Sequence, residues 1–210
     1  MTWIKICGMT TPEAVGASLD VQVDAIGFVF AESTRRLAPD VAARLAAPAR
    51  GRAACVAVMR HPTQAALEEV LALFRPDVMQ TDAEDLPTLR TPEQLEVLPV
   101  YRLWQDQTVG LPARLVFEGP RSGAGIRSDW SAATRLARIS ELVLAGGLNA
   151  GNVAAAMSAV RPFGVDVSSG VEQRPGIKDP AEIARFVAAV RAQDSAIGAP
   201  AAPSEQERRS

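Results

Sequence analysis

Short apolar runs alternate with segments of helical periodicity along almost the whole chain. Trp3-Ile4-Lys5-Ile6-Cys7-Gly8 opens the pattern. In a strand, Ile4 and Ile6 point one way and Lys5 and Cys7 the other, because side chains alternate with period two. Gly8 permits a sharp turn and leaves room beside Cys7. Thr11-Pro12-Glu13 then reads as a helix start, with Thr11 as N-cap and Pro12 at the first helical position. A strand tip carrying Cys and followed directly by a helix is one βα unit, and the rest of the chain repeats it.

Asp24 to Phe30 and Ala53 to Met59 are continuous apolar runs of the kind expected in strands buried on both faces. Asp77 to Gln80, Leu98 to Leu103, Arg114 to Phe117, Glu141 to Ala145 and Gly164 to Val167 supply five more strands, with Pro99 early in its strand, where a sheet tolerates it. Helices are expected from Pro39 to about Leu45, after Thr63 (Leu67, Val70, Leu71, Phe74), weakly around Leu86 and Leu89, after Asp129 (Ala133, Leu136), from about Gly151 to Val160, and from Asp179-Pro180 onward (Ile183, Phe186, Val187, Val190). Only about ten residues separate the fifth strand from the sixth, short for a helical crossover. The helix after strand five is therefore expected to be shortened or missing.

Eight strands alternating with helices in about 190 residues point to an α/β fold, a (β/α)₈ TIM barrel near its minimum size. A doubly wound sheet fits the alternation, but no G-x-G-x-x-G follows the first strand. One domain over residues 1–193 is expected. From Asp194 onward the Ala/Pro/Ser/Gln/Glu/Arg-rich composition without periodicity predicts a disordered tail over 194–210.

Composition narrows the functional classes. The 210 residues are 48% hydrophobic and 22% charged, which supports a sizeable core. The net charge is −2 and no Lys/Arg run is long enough for a nucleic-acid stripe. No apolar run approaches a membrane span, and no basic segment precedes a leader-like run, so a cytoplasmic protein is expected. Cys7 and Cys55 are too few for a disulfide scaffold and lack metal-type spacing. The only histidine, His61, sits in Met59-Arg60-His61-Pro62-Thr63, which reads as a surface turn; a His-rich zinc site is impossible and a Ser-His-Asp triad would depend on it alone. No metal and no cofactor are expected.

In a barrel of this kind the active site forms at the C-terminal strand ends. The reactive side chains there are Cys7, Arg35, Asp82, Glu118 and Asp166. Gly146-Gly147 closes strand seven and Ser168-Ser169-Gly170 closes strand eight, the corner where such barrels hold phosphate on backbone N–H groups. Cys7 on the last strand residue is a candidate base, whereas Cys55, mid-strand among Val and Ala, reads as a small core residue. Glu118 follows apolar Leu115 to Phe117, and partial desolvation there would favour a protonated acid. Arg35 can fork onto a carboxylate. One base, one acid and a phosphate corner suggest proton transfer on a sugar phosphate, and the residues alone stop short of a substrate.

Over residues 3–190 the chain resembles the phosphoribosylanthranilate isomerase family of tryptophan biosynthesis. The motifs that carry the resemblance are Lys5-Ile6-Cys7-Gly8-Met9-Thr10, Asp24 to Phe30, Ser33-Thr34-Arg35, Leu144 to Leu148, and Gly164 to Glu172 followed by Pro175-Gly176 and Lys178-Asp179-Pro180. The resemblance implies a barrel that catalyses an Amadori rearrangement of a small phosphoribosyl substrate without a cofactor, as a monomer or homodimer. It implies Cys7 as general base at C2′, Glu118 as general acid on the ring oxygen, Arg35 on the anthranilate carboxylate, Asp166 as a substrate contact, and Gly146, Gly147, Ser169 and Gly170 at the phosphate. The chain departs from the family pattern in having Glu118 where Asp is usual, Gly123-Ala124-Gly125 without the usual Thr, and Thr81-Asp82-Ala83 where Leu-His-Gly is usual; Asp82 is the alternative acid, ranked below Glu118. Lys5, on the same strand face, is expected to favour the Cys7 thiolate. Two other readings remain open: a histidine-pathway isomerase, which performs the same rearrangement but uses Asp where this chain has Cys7, and a barrel that binds a phosphorylated ligand without turning it over.

Overall fold

The computed structural model describes residues 1–102, 111–119 and 128–198. In chain order it contains β1 (Trp3–Cys7), α1 (Pro12–Asp20), β2 (Ala25–Val29), α2 (Pro39–Ala46), β3 (Ala54–Val58), α3 (Gln64–Leu73), β4 (Val78–Asp82), β5 (Glu96–Tyr101), β6 (Arg114–Phe117), α4 (Trp130–Leu136), β7 (Glu141–Leu144), α5 (Val153–Val160), β8 (Gly164–Val167), β9 (Glu172–Arg174), β10 (Ile177–Lys178) and α6 (Pro180–Gly198). Strands β1 to β8 are paired in sequence order, all parallel, and close into a barrel. The seam is the β1–β8 pair, with Ile4 opposite Val165 and Lys5 opposite Asp166.

Strand alternation divides the apolar residues into two cores. Ala25, Val56, Val78, Leu98, Val100, Val116, Val143 and Ala145 fill the barrel, with Trp3 and Phe163 packed against them. The intervening residues, among them Ile4, Ile6, Ile26, Phe28, Cys55, Met79, Leu115 and Val165, pack beneath the helices. Filling an all-parallel barrel this way requires apolar residues on both faces of each strand, hence the near-continuous runs in the sequence. The same parity separates the two cysteines. Cys55 is opposite Ile26 in the helix-facing set, where burial pushes its thiol up to about 11, whereas Cys7 is opposite Gly27 in the inward set.

The expected helix starts are made. Thr11 accepts from Ala14 N at 3.3 Å, Thr63 from Ala66 N at 3.2 Å, and Asp129 from Ser131 N and Ala132 N at 2.9 and 3.2 Å. Three expectations need correction. The weak helix around Leu86 and Leu89 is a 3₁₀ turn, Ala83–Thr88, because Pro87 inside it removes a donor. Pro99 is the fourth of six residues in β5 rather than early; β5 pairs with β6 only from Val100 onward, so that ladder does not draw on the N–H that Pro99 lacks. The tail does not begin at Asp194: α6 runs to Gly198, and Asp194 accepts from Thr2 N at 3.0 Å and Thr2 Oγ1 at 2.6 Å. The remainder of that stretch (199–210), the connection expected to have lost its helix (103–110) and the Gly123-Ala124-Gly125 segment lie outside the described residues. Among the described residues no helix is long and apolar enough to cross a membrane.

Candidate active site

A cavity of about 310 Å³ opens at the C-terminal ends of the barrel strands, and its wall includes Cys7, Arg35, Glu118, Gly146, Gly147, Asp166 and Ser169. A wider groove of about 780 Å³ near Met1, Arg161 and Arg191 contains none of the predicted site residues. The strand-end rule thus brings together residues contributed by five different parts of the sequence.

Cys7 sits on the barrel's inner face beside Gly27, where an added Cβ would fall 3.1 Å from Sγ and 3.3 Å from Lys5 Cε. Two residues before it, Lys5 is fully buried, with Nζ 2.7 Å from Asp166 Oδ2. Burial pushes the Cys7 thiol up, Lys5 pulls it down, and Asp166 pushes it up again, leaving it above the ordinary thiol value. The influence of Lys5 has the expected direction, but burial outweighs it, so Cys7 rests as the neutral thiol. For Lys5 itself, the lowering by burial is overcome by Asp166 and Cys7, and it stays charged. Asp166 Oδ1 and Gln80 Oε1 are buried acceptors with no protein hydrogen bond among the described residues, and both residues line the cavity.

Glu118 follows β6 directly, and its backbone N–H continues the ladder by donating to the Tyr101 carbonyl at 3.0 Å. Its carboxylate Oε2 lies 3.1 Å from Arg102 Nη1, while Arg102 Nη2 lies 2.8 Å from Asp82 Oδ1. Asp82 is buried and also faces Arg60 Nε at 3.5 Å. It is not part of the cavity wall. Of the two candidate acids, only Glu118 reaches the cavity.

Arg35 reaches the cavity from the loop after β2, but its fork is occupied. Nε and Nη2 donate to the two oxygens of Glu172 at 2.7 and 2.8 Å, leaving Nη1 as the guanidinium nitrogen outside that fork. Glu172 also accepts from Lys178 Nζ at 2.8 Å. At the glycine corner, Gly146 and Gly147 are both left-handed, with φ of 93° and 65°. Asn152 Nδ2 donates to the Gly147 carbonyl at 2.8 Å and fixes this loop. Opposite it, Ser168 leads into a 3₁₀ turn over Ser169–Val171. Gly170 packs so closely there that an added Cβ would fall 1.9 Å from the Leu148 carbonyl oxygen. Gly170 thus shapes the corner without lining the cavity.

His61 is a half-exposed turn residue, as its sequence neighbours suggest, with Nδ1 2.8 Å from Asp85 Oδ1. His61, Asp82 and Glu84 bring potential cation ligands within 4.8 Å of one another, but Asp82 is already engaged by Arg102 and Arg60. Arg102, Glu172 and Lys178 are the site residues that motif spacing gave no role. Arg102 has the inward parity of Leu98 and Val100 on β5, which is the signal that would have found it.

Residues 4–189 match the family model of N-(5′-phosphoribosyl)anthranilate (PRA) isomerase. The chain belongs to this family. The phosphoribosylanthranilate isomerase of Rhizobium etli is 40% identical over 216 residues, covering 94% of this chain and 97% of that one. The crystal structure of the phosphoribosyl anthranilate isomerase from Thermotoga maritima is similar with a TM-score of 0.78 at 28% identity, covering 91% of this chain and 100% of that one. A phosphoribosyl anthranilate isomerase in complex with reduced 1-(o-carboxyphenylamino)-1-deoxyribulose 5-phosphate is similar with a TM-score of 0.77, at 28% identity and with coverage of 91% and 100%. Membership in the phosphoribosylanthranilate isomerases sets aside the histidine-pathway reading.

Proposed function

We propose that this isomerase converts N-(5-phosphoribosyl)anthranilate to 1-(2-carboxyphenylamino)-1-deoxyribulose 5-phosphate in tryptophan biosynthesis, with Glu118 as general acid and Cys7 as general base. The observation that carries the assignment is that Cys7 and Glu118 line one cavity that also receives the glycine loop after β7 and the serine turn after β8. In its protonated form Glu118 gives its proton to the ribose ring oxygen and is left as the carboxylate facing Arg102, the C1′–O bond breaks, and the lone pair of the arylamine nitrogen forms the protonated Schiff base. Cys7, once its thiol has given up its own proton to solvent, acts as the thiolate and removes the proton from C2′, giving an enolamine that tautomerises to the ketose. Lys5 supplies positive charge beside the thiolate as it forms, which matters because the resting thiol is held neutral by burial.

Substrate placement follows from the remaining groups. The backbone around Gly146, Gly147, Ser169 and Gly170 takes the phosphate, Asp166 Oδ1 accepts from a sugar hydroxyl, and Arg35 meets the anthranilate carboxylate with the edge that Glu172 leaves open. Glu118 replaces the shorter Asp of the family, so proton transfer from the same place requires a backbone set further back, and the Arg102 contact fixes where the longer arm ends. We place the enzyme in the cytoplasm, where Cys7 and Cys55 stay reduced, acting as a monomer or homodimer on a small-molecule substrate.

The test follows the loss of fluorescence of freshly generated phosphoribosylanthranilate with wild type, Cys7→Ala and Glu118→Gln. Turnover by wild type that both substitutions abolish supports the assignment. Activity surviving in Glu118→Gln alone would move the acid elsewhere. Wild type that binds the substrate but leaves it intact would replace the isomerase with a binding protein.

A further inference from the structure

The stretch from Glu172 to Lys178 takes no part in the proton transfers, yet its two ends hold residues that line the cavity, Glu172 holding Arg35 and Lys178 holding Ser168. β9 and β10 pair antiparallel as a short hairpin directly after the Ser169–Val171 turn. The hairpin presses on the loop that carries Arg35: an added Cβ at Gly176 would fall 2.7 Å from the Thr34 carbonyl oxygen. Thr10 Oγ1 also donates to the Gly176 carbonyl, tying the hairpin to the loop after β1.

Two cations and one carboxylate run along this hairpin. Arg35 forks onto Glu172, and Lys178 Nζ donates to Glu172 Oε1 at 2.8 Å, to the Ser168 carbonyl at 3.0 Å and to Ser168 Oγ at 3.2 Å. The Lys178 side chain is fully buried, so all of its donors are spent inside the protein. Arg35 and Glu172 alone sum to zero charge, and a substrate carboxylate would meet an ion pair rather than a cation. Lys178 returns the cluster to a net charge of one positive. The same ammonium holds the Ser168 end of the loop that leads into Ser169 and Gly170.

We propose that Lys178 is a positioning residue that keeps the Arg35–Glu172 pair net positive toward the carboxylate of the substrate and locks that end of the site to the phosphate end through Ser168. The site then selects phosphate monoesters whose carboxylate lies at one set distance from the phosphate. This inference rests on the assignment of Arg35 to the substrate carboxylate.

The experiment measures dissociation constants of two probes: reduced 1-(2-carboxyphenylamino)-1-deoxyribulose 5-phosphate, and the same compound with a plain phenylamino group. The ratio of the second constant to the first isolates the contribution of the carboxylate. Lys178→Met should lower this ratio by about tenfold, the effect expected of one partly screened buried charge. Glu172→Gln/Lys178→Met, which leaves Arg35 as the sole charge, should restore the ratio to within about threefold of wild type. An unchanged ratio in Lys178→Met overturns the proposal. So does a double variant as poor as the single one, because that is the behaviour of a purely structural lysine. The plain phenylamino probe reports on the integrity of the phosphate end in every variant. If Arg35→Met leaves the ratio unchanged, the carboxylate assignment itself fails; if Arg35→Met lowers it and Lys178→Met does not, only the role of Lys178 fails.

Discussion

Lys5 and Asp166 stand opposite each other across the β1–β8 seam, and their ion pair, Nζ to Oδ2 at 2.7 Å, lies directly behind Cys7 on the barrel's inner face. One pair therefore serves barrel closure and the chemistry of the thiol. Lys5→Met should shift the onset of Cys7 alkylation by iodoacetamide to higher pH, because burial raises the thiol and Lys5 is the largest influence opposing it. An unchanged alkylation profile would refute the coupling. The same substitution strands a buried carboxylate and should destabilise the fold by about 3–5 kcal/mol, partly recovered in Lys5→Met/Asp166→Asn.

Gly27→Ala should impair turnover more than folding. The new methyl group would stand 3.1 Å from Cys7 Sγ and 3.3 Å from Lys5 Cε, tighter than ordinary contact, and the thiol is the part able to yield. The expected outcome is a loss of kcat/KM of about tenfold or more alongside an overpacking cost of about 1–3 kcal/mol in urea unfolding. Full activity in this variant would mean that the thiol position tolerates displacement.

Asp82 and Glu118 share Arg102, but only Glu118 faces the cavity. Glu118→Gln should reduce kcat by about 10²–10⁴-fold, the usual contribution of a general acid. Asp82→Asn should stay within about tenfold of wild type, since Asp82 lies outside the cavity wall and the change perturbs the anchoring of Arg102 and Arg60. Steady-state kinetics on the two variants would reverse the assignment if their effects were interchanged.

Glu172 ties stability to acid pH. Burial raises its carboxyl, but the Arg35 fork and Lys178 more than offset this and hold it below the ordinary Glu range. Stability from this group is therefore complete above its unfolded value, about pH 4.3, and is lost as pH falls through its lower folded value. In urea unfolding between about pH 3 and 6, Glu172→Gln should show a flatter decline than wild type. The slope that remains belongs in part to Asp85 and Asp194, which are also held low against burial, the one by Thr81 and His61, the other by Thr2 and Arg191.

Much of the architecture was legible because it is written locally. Apolar runs, Thr11, Thr63 and Asp129 at helix starts, and the alternation that turns Cys7 inward depend on residues a few positions apart. What misled was also local: composition after Asp194 looks like a tail, yet hydrogen bonds from Thr2, at the far end of the chain, hold that residue within α6.

The sequence by itself determined a barrel of eight strands, the strand-end positions of Cys7, Glu118 and Asp166, and the glycine corner after β7 and β8, since period-two alternation and turn chemistry act over short range. Only the tertiary structure decided which charges meet. Lys5 finds Asp166 from 161 positions away, Arg35 finds Glu172 from 137 away, and Arg102 joins Asp82 to Glu118. Each of these groups carries a charge that many partners would satisfy, and barrel closure, which brings the first strand against the last, selects the one that is within hydrogen-bond reach.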